Sequence, residues 1–214
     1  MPVTATATPT PTPTSTPEPP PRYFTEEFES RPVHWGTHLA SGEVMPQIQA
    51  ADDALTFYLT QPYTWVYATY EAYDYTDVHI ETLMYSRQAV PSATGLICRY
   101  SEDGWYEFTI SEDGRYSVLF GQWLANEIAT YTPIATDVSE YIRTERENDA
   151  VINKLGLTCQ EDILWLYMND KLFRKLDVSR FGLRAGKVGV AAASFENVTI
   201  LAAFEYFLVD QPDK

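Results

Sequence analysis

Two Asp-Gly turns, ten residues apart, most strongly constrain how this chain can fold. Glu102-Asp103-Gly104 and Glu112-Asp113-Gly114 enclose the segment WYEFTIS. Asp-Gly pairs favour tight hairpin turns, because glycine adopts a positive φ without strain. The spacing therefore predicts a three-stranded antiparallel meander. Asn169-Asp170 lies between ILWLYM and KLFRKL and predicts another hairpin.

Most of the chain from Tyr23 onward alternates apolar and polar side chains with a period of two, as strands do. The 15 Tyr, 10 Phe and 5 Trp suit a pleated sheet better than a helix. Gln122–Asp149 does not fit the pattern, and we predict a long decorated loop with a short helix there. Strands in succession without βαβ alternation predict an all-β fold, an antiparallel two-sheet β-sandwich of the jelly-roll type. The predicted strands are Ala54–Thr60, Thr64–Thr69, Asp77–Tyr85, Gly95–Tyr100, Trp105–Ser111, Tyr116–Phe120, Ile152–Gln160, Ile163–Met168, Lys171–Leu176, Gly186–Ala193 and Val198–Val209.

Residues 1–22 read MPVTATATPTPTPTSTPEPPPR, with no aromatic side chain and few aliphatic ones. Alternating Thr and Pro favours an extended, solvated chain that buries too little apolar surface to fold. We expect a disordered Thr/Pro-rich linker over residues 1–22 and a single β-sandwich domain over residues 23–214. Such linkers join anchors to secreted or cell-surface domains. We therefore expect an extracytoplasmic domain of a larger anchored protein, with a signal or anchor segment upstream of Met1.

The net charge of −15 lies in the predicted domain, because Glu18 and Arg22 cancel within the linker. A negative field repels phosphate backbones and anionic lipids, so nucleic acid is not an expected partner. No stretch reaches the roughly 18 apolar residues of a membrane span, and we expect no direct membrane insertion of this segment.

The two cysteines, Cys98 in GLICRY and Cys159 in KLGLTC, each alternate with apolar neighbours. Both therefore face an apolar side, and an even count in an exported domain favours a disulfide between them. Two buried free thiols are the alternative. Neither environment favours a reactive cysteine.

The order of these segments resembles the concanavalin A-like and laminin G-like jelly rolls of bacterial surface proteins. The likeness runs from YTDVHIETLMY, through GLICRYSEDGWYEFTISEDGRYSVLF and NKLGLTCQEDILWLYMNDKLF, to LRAGKVGVAAASFENVTILAAFEYFLV. YFTEEFES and Trp35 look closest to the start of the domain in the 3-keto-disaccharide hydrolase branch, where an early Phe and Trp precede the first strands. The resemblance covers residues 23–210 and rests on structural motifs. It implies a fold shared by lectins, carbohydrate-binding modules, adhesion domains and glycanases, and does not choose among them.

The stretch Tyr73–Tyr85 contains the best candidate site. Its odd positions are mostly aromatic, acidic or His, whereas Val78, Ile80 and Met84 occupy even positions, so one strand face is polar. Polar and aromatic residues of neighbouring strands alternate toward the same side. Such a surface suits carbohydrate, because rings stack on pyranose faces and polar groups bond hydroxyls. An ordinary solvated sheet face is the alternative. The predicted ligand-binding residues are Tyr73, Tyr75, Asp77, His79, Glu81, Arg99, Trp105 and Glu107.

Catalysis has less support from the sequence. Asp77 and Glu81 lie roughly 13 Å apart on a strand, whereas retaining glycosidases need carboxyl groups about 5 Å apart. The compact E-x-D-x-x-E strand of glycanases with the resembled fold is absent. His34 and His38 have the spacing of a helical metal pair, but a strand context favours loop or core histidines. We predict no catalytic residue and no cofactor, and consider calcium, held by the acidic turns, as the one candidate ion.

These observations favour a noncatalytic binding module for carbohydrate or a cell-surface ligand. The first alternative is a glycoside-hydrolase-like enzyme of the 3-keto-disaccharide hydrolase type, which needs a deep pocket with two carboxylates. The second is a structural or adhesive domain that binds a protein through an exposed apolar patch.

Overall fold

The computed structural model describes residues 19–87, 91–124 and 128–212. Fifteen β-strands and a short 3₁₀ turn at Ser179–Phe181 form the secondary structure of these residues. The strands are β1 (Phe24–Glu26), β2 (Trp35–Ser41), β3 (Gln47–Ala51), β4 (Ala54–Leu59), β5 (Trp65–Tyr75), β6 (Val78–Ser86), β7 (Ser92–Ser101), β8 (Gly104–Ile110), β9 (Arg115–Leu124), β10 (Ile128–Val138), β11 (Val151–Gln160), β12 (Ile163–Met168), β13 (Lys171–Asp177), β14 (Gly186–Ser194) and β15 (Ile200–Asp210). In this described part of the chain, no helix is long and apolar enough to cross a membrane.

The strands form two antiparallel sheets that pack against each other. Sheet A has the order β13-β12-β11-β6-β15-β4-β3, and β1 pairs with the C-terminal part of β15, beyond the part that pairs with β4. Sheet B has the order β10-β9-β8-β7-β14-β5-β2. The predicted all-β, two-sheet antiparallel sandwich is confirmed. The meander β7-β8-β9 and the hairpin β12-β13 form at the Asp-Gly and Asn-Asp turns, as the sequence predicts.

Alternating side chains of the two sheets fill the space between them. In β8, Tyr106 and Phe108 join the main core, whereas Trp105 and Glu107 point to the outer face of sheet B. A second, smaller hydrophobic cluster lies on that outer face, around Tyr67, Trp105 and their neighbours. The same alternation that builds the core therefore also places large aromatic side chains on the outside of sheet B.

A disulfide joins Cys98 to Cys159, with the two Cα atoms 6.7 Å apart. Cys98 belongs to β7 of sheet B and Cys159 to β11 of sheet A. The bond therefore crosses the core and ties the sheets together. The predicted disulfide is confirmed.

The prediction for Gln122–Asp149 is wrong at residues 122–124 and 128–138, whereas residues 139–149 form turns and irregular loop, as predicted, but without the predicted helix. Residues 125–127 of the predicted loop lie outside the described residues. The sequence pattern predicts a loop with a short helix, but β9 continues to Leu124 and β10 occupies Ile128–Val138. β10 is one of the two edge strands of sheet B and carries a bulge between Pro133 and Ala135. An edge strand keeps more of its side chains in water, and a bulge breaks the period of two, so the strand signal is lost. The pattern also fails to predict the edge strands β2 and β3 and the short β1.

Most of the predicted linker, residues 1–18, lies outside the described residues, as do residues 213–214 of the predicted domain. Pro19–Arg22 is described and lies beside β5. The division into linker and domain stays a prediction.

Candidate functional site

The prediction that eight side chains share one open face is wrong, because they lie in three parts of the molecule. Tyr73–Tyr85 is two strands in different sheets, since β5 ends at Tyr75 in sheet B and β6 begins at Val78 in sheet A. The two residues between them, Thr76 and Asp77, form the bend. The polar alternation continues through this crossover, so the sequence alone reads as one strand.

His79 and Glu81 lie on β6, in sheet A. His79 Nδ1 lies 2.8 Å from Thr158 Oγ1. The Glu81 carboxylate accepts a 2.7 Å hydrogen bond from the Tyr206 hydroxyl and pairs with Lys154 Nζ at 2.9 Å. The partner of Glu81 is therefore a lysine of the same sheet, and Arg99 lies elsewhere.

Tyr73, Tyr75, Asp77 and Arg99 lie where strands of the two sheets end and their turns begin. The hydroxyls of Tyr73 and Tyr75 donate to backbone carbonyls of the N-terminal segment. The Asp77 carboxylate accepts from the Glu161 backbone N–H at 2.8 Å. Arg99 is 1% exposed and donates to three backbone carbonyls. These polar groups are engaged by the protein's own turns.

Trp105 and Glu107 share the outer face of sheet B with other aromatic side chains. We call this surface the aromatic face. The rings contact one another in a continuous layer, with centroids 4.8 Å apart between Trp105 and Trp123 and 5.4 Å apart between Trp65 and Tyr131. Its rings are those of Trp65, Tyr67, Tyr100, Trp105, Trp123 and Tyr131.

Glu107 is 0% exposed and lies beneath this layer. Its Oε1 accepts from Trp65 Nε1 at 3.0 Å, and its Oε2 accepts from the Tyr67 hydroxyl at 2.7 Å. The Tyr67 oxygen in turn accepts from Trp105 Nε1 at 3.1 Å and lies 3.0 Å from the Tyr131 hydroxyl. Because Tyr67 gives its only proton to Glu107, Tyr131 must be the donor to Tyr67. One carboxylate thus fixes four of the rings.

An open groove of about 910 Å³ runs beside the aromatic face. Tyr100 and Trp123 contribute half-buried rings to its wall, 6.3 Å apart and edge to face. The polar side chains that line the groove include His38, Glu71, Asp74, Glu102 and Lys187. The groove therefore combines apolar ring surface with hydrogen-bonding groups.

Glu71 organises the polar side of the groove. Burial opposes its charge, but hydrogen bonds from Thr69 and His38, together with the nearby Lys187, outweigh this and lower the pKa of Glu71. Since an ionised carboxylate only accepts, His38 Nε2 carries the proton in its 3.0 Å contact with Glu71 Oε1. Lys187 Nζ lies 3.7 Å from Glu71 and 3.3 Å from Asp74. These groups are held in place before any ligand arrives.

Glu71 and Glu107, two of the carboxyl groups on this side of sheet B, have pKa values shifted in opposite directions. Burial raises the pKa of Glu107 despite its hydrogen bonds from Trp65 and Tyr67, whereas the pKa of Glu71 is lowered. Burial, with a smaller contribution from Glu71, also raises the pKa of the Tyr100 hydroxyl, which stays protonated in the physiological range. Tyr100 thus offers the groove a neutral ring with a polar tip.

Within residues 19–87, 91–124 and 128–212, no group of three or more His, Cys, Asp and Glu side chains is placed to hold a metal ion. One of the acidic turns considered for calcium is otherwise engaged. Glu112 accepts from the hydroxyl of Ser86 and from the hydroxyl and backbone N–H of Ser92.

Sequence reasoning finds Trp105 and Glu107 but not the rest of this site. Trp65 and Tyr67 lie in a predicted strand, and their alternation with Thr69 and Glu71 is a signal that could have found them. His38 and Tyr131 come from β2 and β10, which the pattern does not predict.

No protein-family model and no curated protein sequence matches the chain. The structure is similar to the carbohydrate-binding module CBM66 from Bacillus subtilis, with 12% sequence identity and a TM-score of 0.58 over 83% of this chain and 96% of that chain. It is also similar to a β-glucanase from Bacillus licheniformis, with 12% identity and a TM-score of 0.60 over 89% and 98% of the two chains.

Identities this low establish a shared fold and leave activity open. The finer resemblance to the 3-keto-disaccharide hydrolase branch is not confirmed and stays a prediction. The chain has the concanavalin A-like jelly-roll fold.

Proposed function

We propose that this protein is a noncatalytic carbohydrate-binding module whose ligand lies in the groove beside the aromatic face. The observation that carries the proposal is the pairing of the Tyr100 and Trp123 rings with the hydrogen-bonded His38, Glu71 and Lys187 along one groove. Rings supply flat apolar surface for the C–H faces of a pyranose, and the polar groups fix its hydroxyls.

Preorganisation supports binding in this groove. The Glu107 network locks the rings beneath and beside the groove, and Glu71 holds His38 and Lys187. Because these side chains are already ordered in the free protein, they lose little conformational entropy when a flexible glycan binds. Of the predicted ligand residues, Trp105 and Glu107 then act by positioning the rings that touch the sugar.

The charge of the groove indicates the ligand class. Glu71, Asp74 and Glu102 bring three carboxylates to the lining against one lysine, Lys187. The whole chain carries −15. Since like charges repel at short range, we infer that the ligand is a neutral glycan rather than a uronate or sulfated one.

A glycan array that reads both retention and release of cleaved sugar, with and without calcium, tests the proposal. We expect retention of uncleaved neutral glycans. Trp123→Ala removes a groove ring without touching the Glu107 hydrogen bonds, and we expect affinity to fall at least about tenfold.

The matched control is Trp165→Ala. Trp165 is also half-buried but lies on β12 of sheet A, where Lys175 Nζ sits 3.6 Å from its ring centre. Glycan retention should be unchanged in this variant. Equal losses in both variants, or none in either, would contradict the assignment of the groove.

A second candidate, glycoside hydrolysis, is favoured by one observation. A carboxyl group with a raised pKa, Glu107, shares a face with one whose pKa is lowered, Glu71, as a general acid and its partner would. Against it, Glu107 is fully buried and both its oxygens already accept protein hydrogen bonds. Sugar release on the array that Glu107→Gln abolishes would establish hydrolysis. If the array shows neither glycan retention nor release of cleaved sugar, a structural or adhesive role is favoured.

We also propose that the protein lies outside the cytoplasm, as part of a larger anchored protein. The disulfide between Cys98 and Cys159 supports this, since such bonds persist in oxidising compartments. The Thr/Pro-rich composition of residues 1–22 is typical of a tether. Detection of the native protein on intact cells by surface proteolysis would test the location.

A further inference from the structure

Three tyrosines of β5 hold the end of the Thr/Pro-rich segment, and we call them the tyrosine ladder. Each donates its hydroxyl proton to one of three consecutive backbone carbonyls at 2.7 Å. These carbonyls therefore have protein donors where a free tether would have only water. The pairs are Tyr73 with Pro20, Tyr70 with Pro21 and Tyr75 with Arg22.

The side chain of Arg22 adds contacts to the same ladder. Its guanidinium carbon lies 5.4 Å from the ring centre of Tyr73 and 5.5 Å from that of Tyr75, within the range of cation–π attraction. Its Nη2 also approaches the Asp74 carbonyl oxygen at 3.4 Å. The chain continues into β1, which begins at Phe24 and pairs with β15.

The chemistry of the ladder matches a polyproline ligand. Proline fixes φ near −65° and lacks an N–H, so a proline-rich segment favours an extended helix whose carbonyls have no internal partner. Aromatic-lined surfaces with hydroxyl or N–H donors recognise such segments. The ladder rings are spaced 6.4 Å apart from Tyr70 to Tyr73 and 6.4 Å from Tyr73 to Tyr75.

The Tyr70 and Tyr75 hydroxyls of the ladder stay protonated. Burial is the main cause that raises the pKa of the Tyr70 and Tyr75 hydroxyls above the usual value for tyrosine. Both can therefore donate throughout the physiological pH range.

We propose that the tyrosine ladder is a polyproline-recognition site occupied by the chain's own Pro20–Arg22, and that it fixes the position and direction of these residues on the domain. Because proline restricts φ, a proline-rich segment is stiff, and three hydrogen bonds along Pro20–Arg22 hold it in one orientation. The docked residues lie beside the candidate groove, because Asp74 contacts Arg22 through its carbonyl and Lys187 of the groove through its carboxylate. The site does not depend on what the groove binds.

Trypsin cleavage of the full chain after Arg22 tests the proposal, because the docked segment must leave the ladder before it fits a protease. Tyr73→Phe with Tyr75→Phe keeps both rings and removes two hydroxyl donors. The loss of one hydrogen bond of ordinary net strength shifts the equilibrium between docked and undocked segment by about fivefold. We expect the initial rate of this cleavage, followed by intact mass, to rise about tenfold or more. The single variant Tyr73→Phe should give about fivefold and covers the case in which the double variant folds poorly.

The matched control is Tyr58→Phe with Tyr141→Phe, one tyrosine on β4 and one in the turn after β10, which should leave the rate unchanged. Cleavage after Lys154, within β11, which pairs with a strand on each side, reports global unfolding. A rise in the ratio of Arg22 to Lys154 cleavage in the ladder variants supports docking. An unchanged ratio overturns it, whether both rates stay constant or both rise together. The pairing of β1 with β15 protects Phe24–Glu26 from trypsin. This protection is the same in every variant, so it does not affect the comparison of cleavage rates.

Discussion

Glu107 is a carboxyl group that the protein buries completely beneath aromatic rings. Burial raises the pKa of Glu107 above the value of about 4.3 for an unperturbed glutamate. The folded state therefore holds the Glu107 proton more tightly than the unfolded state does. Linkage then requires that the contribution of Glu107 to stability falls as pH rises from the unfolded pKa through the folded pKa.

Glu107→Gln removes this titration and keeps the shape. The amide oxygen accepts from Trp65, and its N–H group donates to Tyr67, whose own proton then turns toward Tyr131. We expect the melting temperature of the variant, relative to the native protein, to increase as pH rises above the unfolded pKa of about 4.3. Each unit of raised pKa is worth about 1.4 kcal/mol.

Thermal unfolding across pH 4 to 8 measures this difference. Glu102→Gln, at an exposed acid of the same sheet, reports the general effect of losing one negative charge. A Glu107→Gln difference that stays flat or falls with pH would contradict the argument.

Gly121 is the position where sheet B leaves room for Trp105. The two residues are directly paired between β9 and β8. A Cβ atom at position 121 would lie 2.1 Å from Cε2 of the Trp105 indole. Gly121→Ala must therefore push the indole aside, which weakens its bond to Tyr67 and overpacks the face, at about 1–3 kcal/mol.

Urea unfolding followed by tryptophan fluorescence, with a glycan-binding measurement, tests this expectation for Gly121. Stability and affinity should both fall. Ser117→Ala, on the outer face of the same strand, is the control and should change neither. A Gly121→Ala protein with the native urea midpoint and the native tryptophan emission would contradict this expectation, because the Trp105 indole would then have been displaced without a cost in stability.

Among the strands, prediction from sequence succeeds where each face has one environment. β8 and β12 have one core face and one outer face and are bounded by strong turn residues, so their alternation and hairpins are readable. β10 and β2 are edge strands of sheet B with interrupted registers, and their signal is weak. The sheet to which a strand belongs is not encoded in its alternation at all, which is why β5 and β6 read as one polar face.

In the candidate site, too, alternation predicts the face on which a residue lies but not its neighbours on other strands. Alternation correctly gives Trp105 and Glu107 a common face, yet their partners come from distant segments. Trp65 precedes Glu107 by 42 residues, and Tyr131 follows Tyr67 by 64. Only the strand order β10-β9-β8-β7-β14-β5 brings these side chains together, and a single sequence carries no local signal for that order.

For the whole molecule, β7 supplies the ties between the two sheets. Cys98 forms the disulfide to β11, and the next residue, Arg99, adopts φ 55° at a bulge that turns its side chain toward the loops. The guanidinium donates to the carbonyls of Leu183, Thr76 and Glu161, which belong to three different connections. A covalent bond and a buried cation thus hold the sandwich closed from adjacent positions.

The effect of the disulfide on stability can be separated from the effect of core packing. Cys98 and Cys159 are 61 residues apart, and closing such a loop in the unfolded chain is worth about 4 kcal/mol in the chain-entropy model. Reduction leaves both sulfurs in place, so we expect it to lower the free energy of unfolding by about 2–4 kcal/mol through the unfolded state. Cys98→Ala with Cys159→Ala should cost more, since it also empties part of the core.

Urea unfolding with and without reductant, with thiols titrated to verify the redox state, measures both effects. The reduced protein should also show a larger dependence on urea, because its unfolded chain is less compact. Glycan binding below the transition should survive, since the bond lies between the sheets and the groove on the outside of one of them. An unchanged midpoint after complete reduction would mean that core packing and the Arg99 contacts alone hold the sheets together.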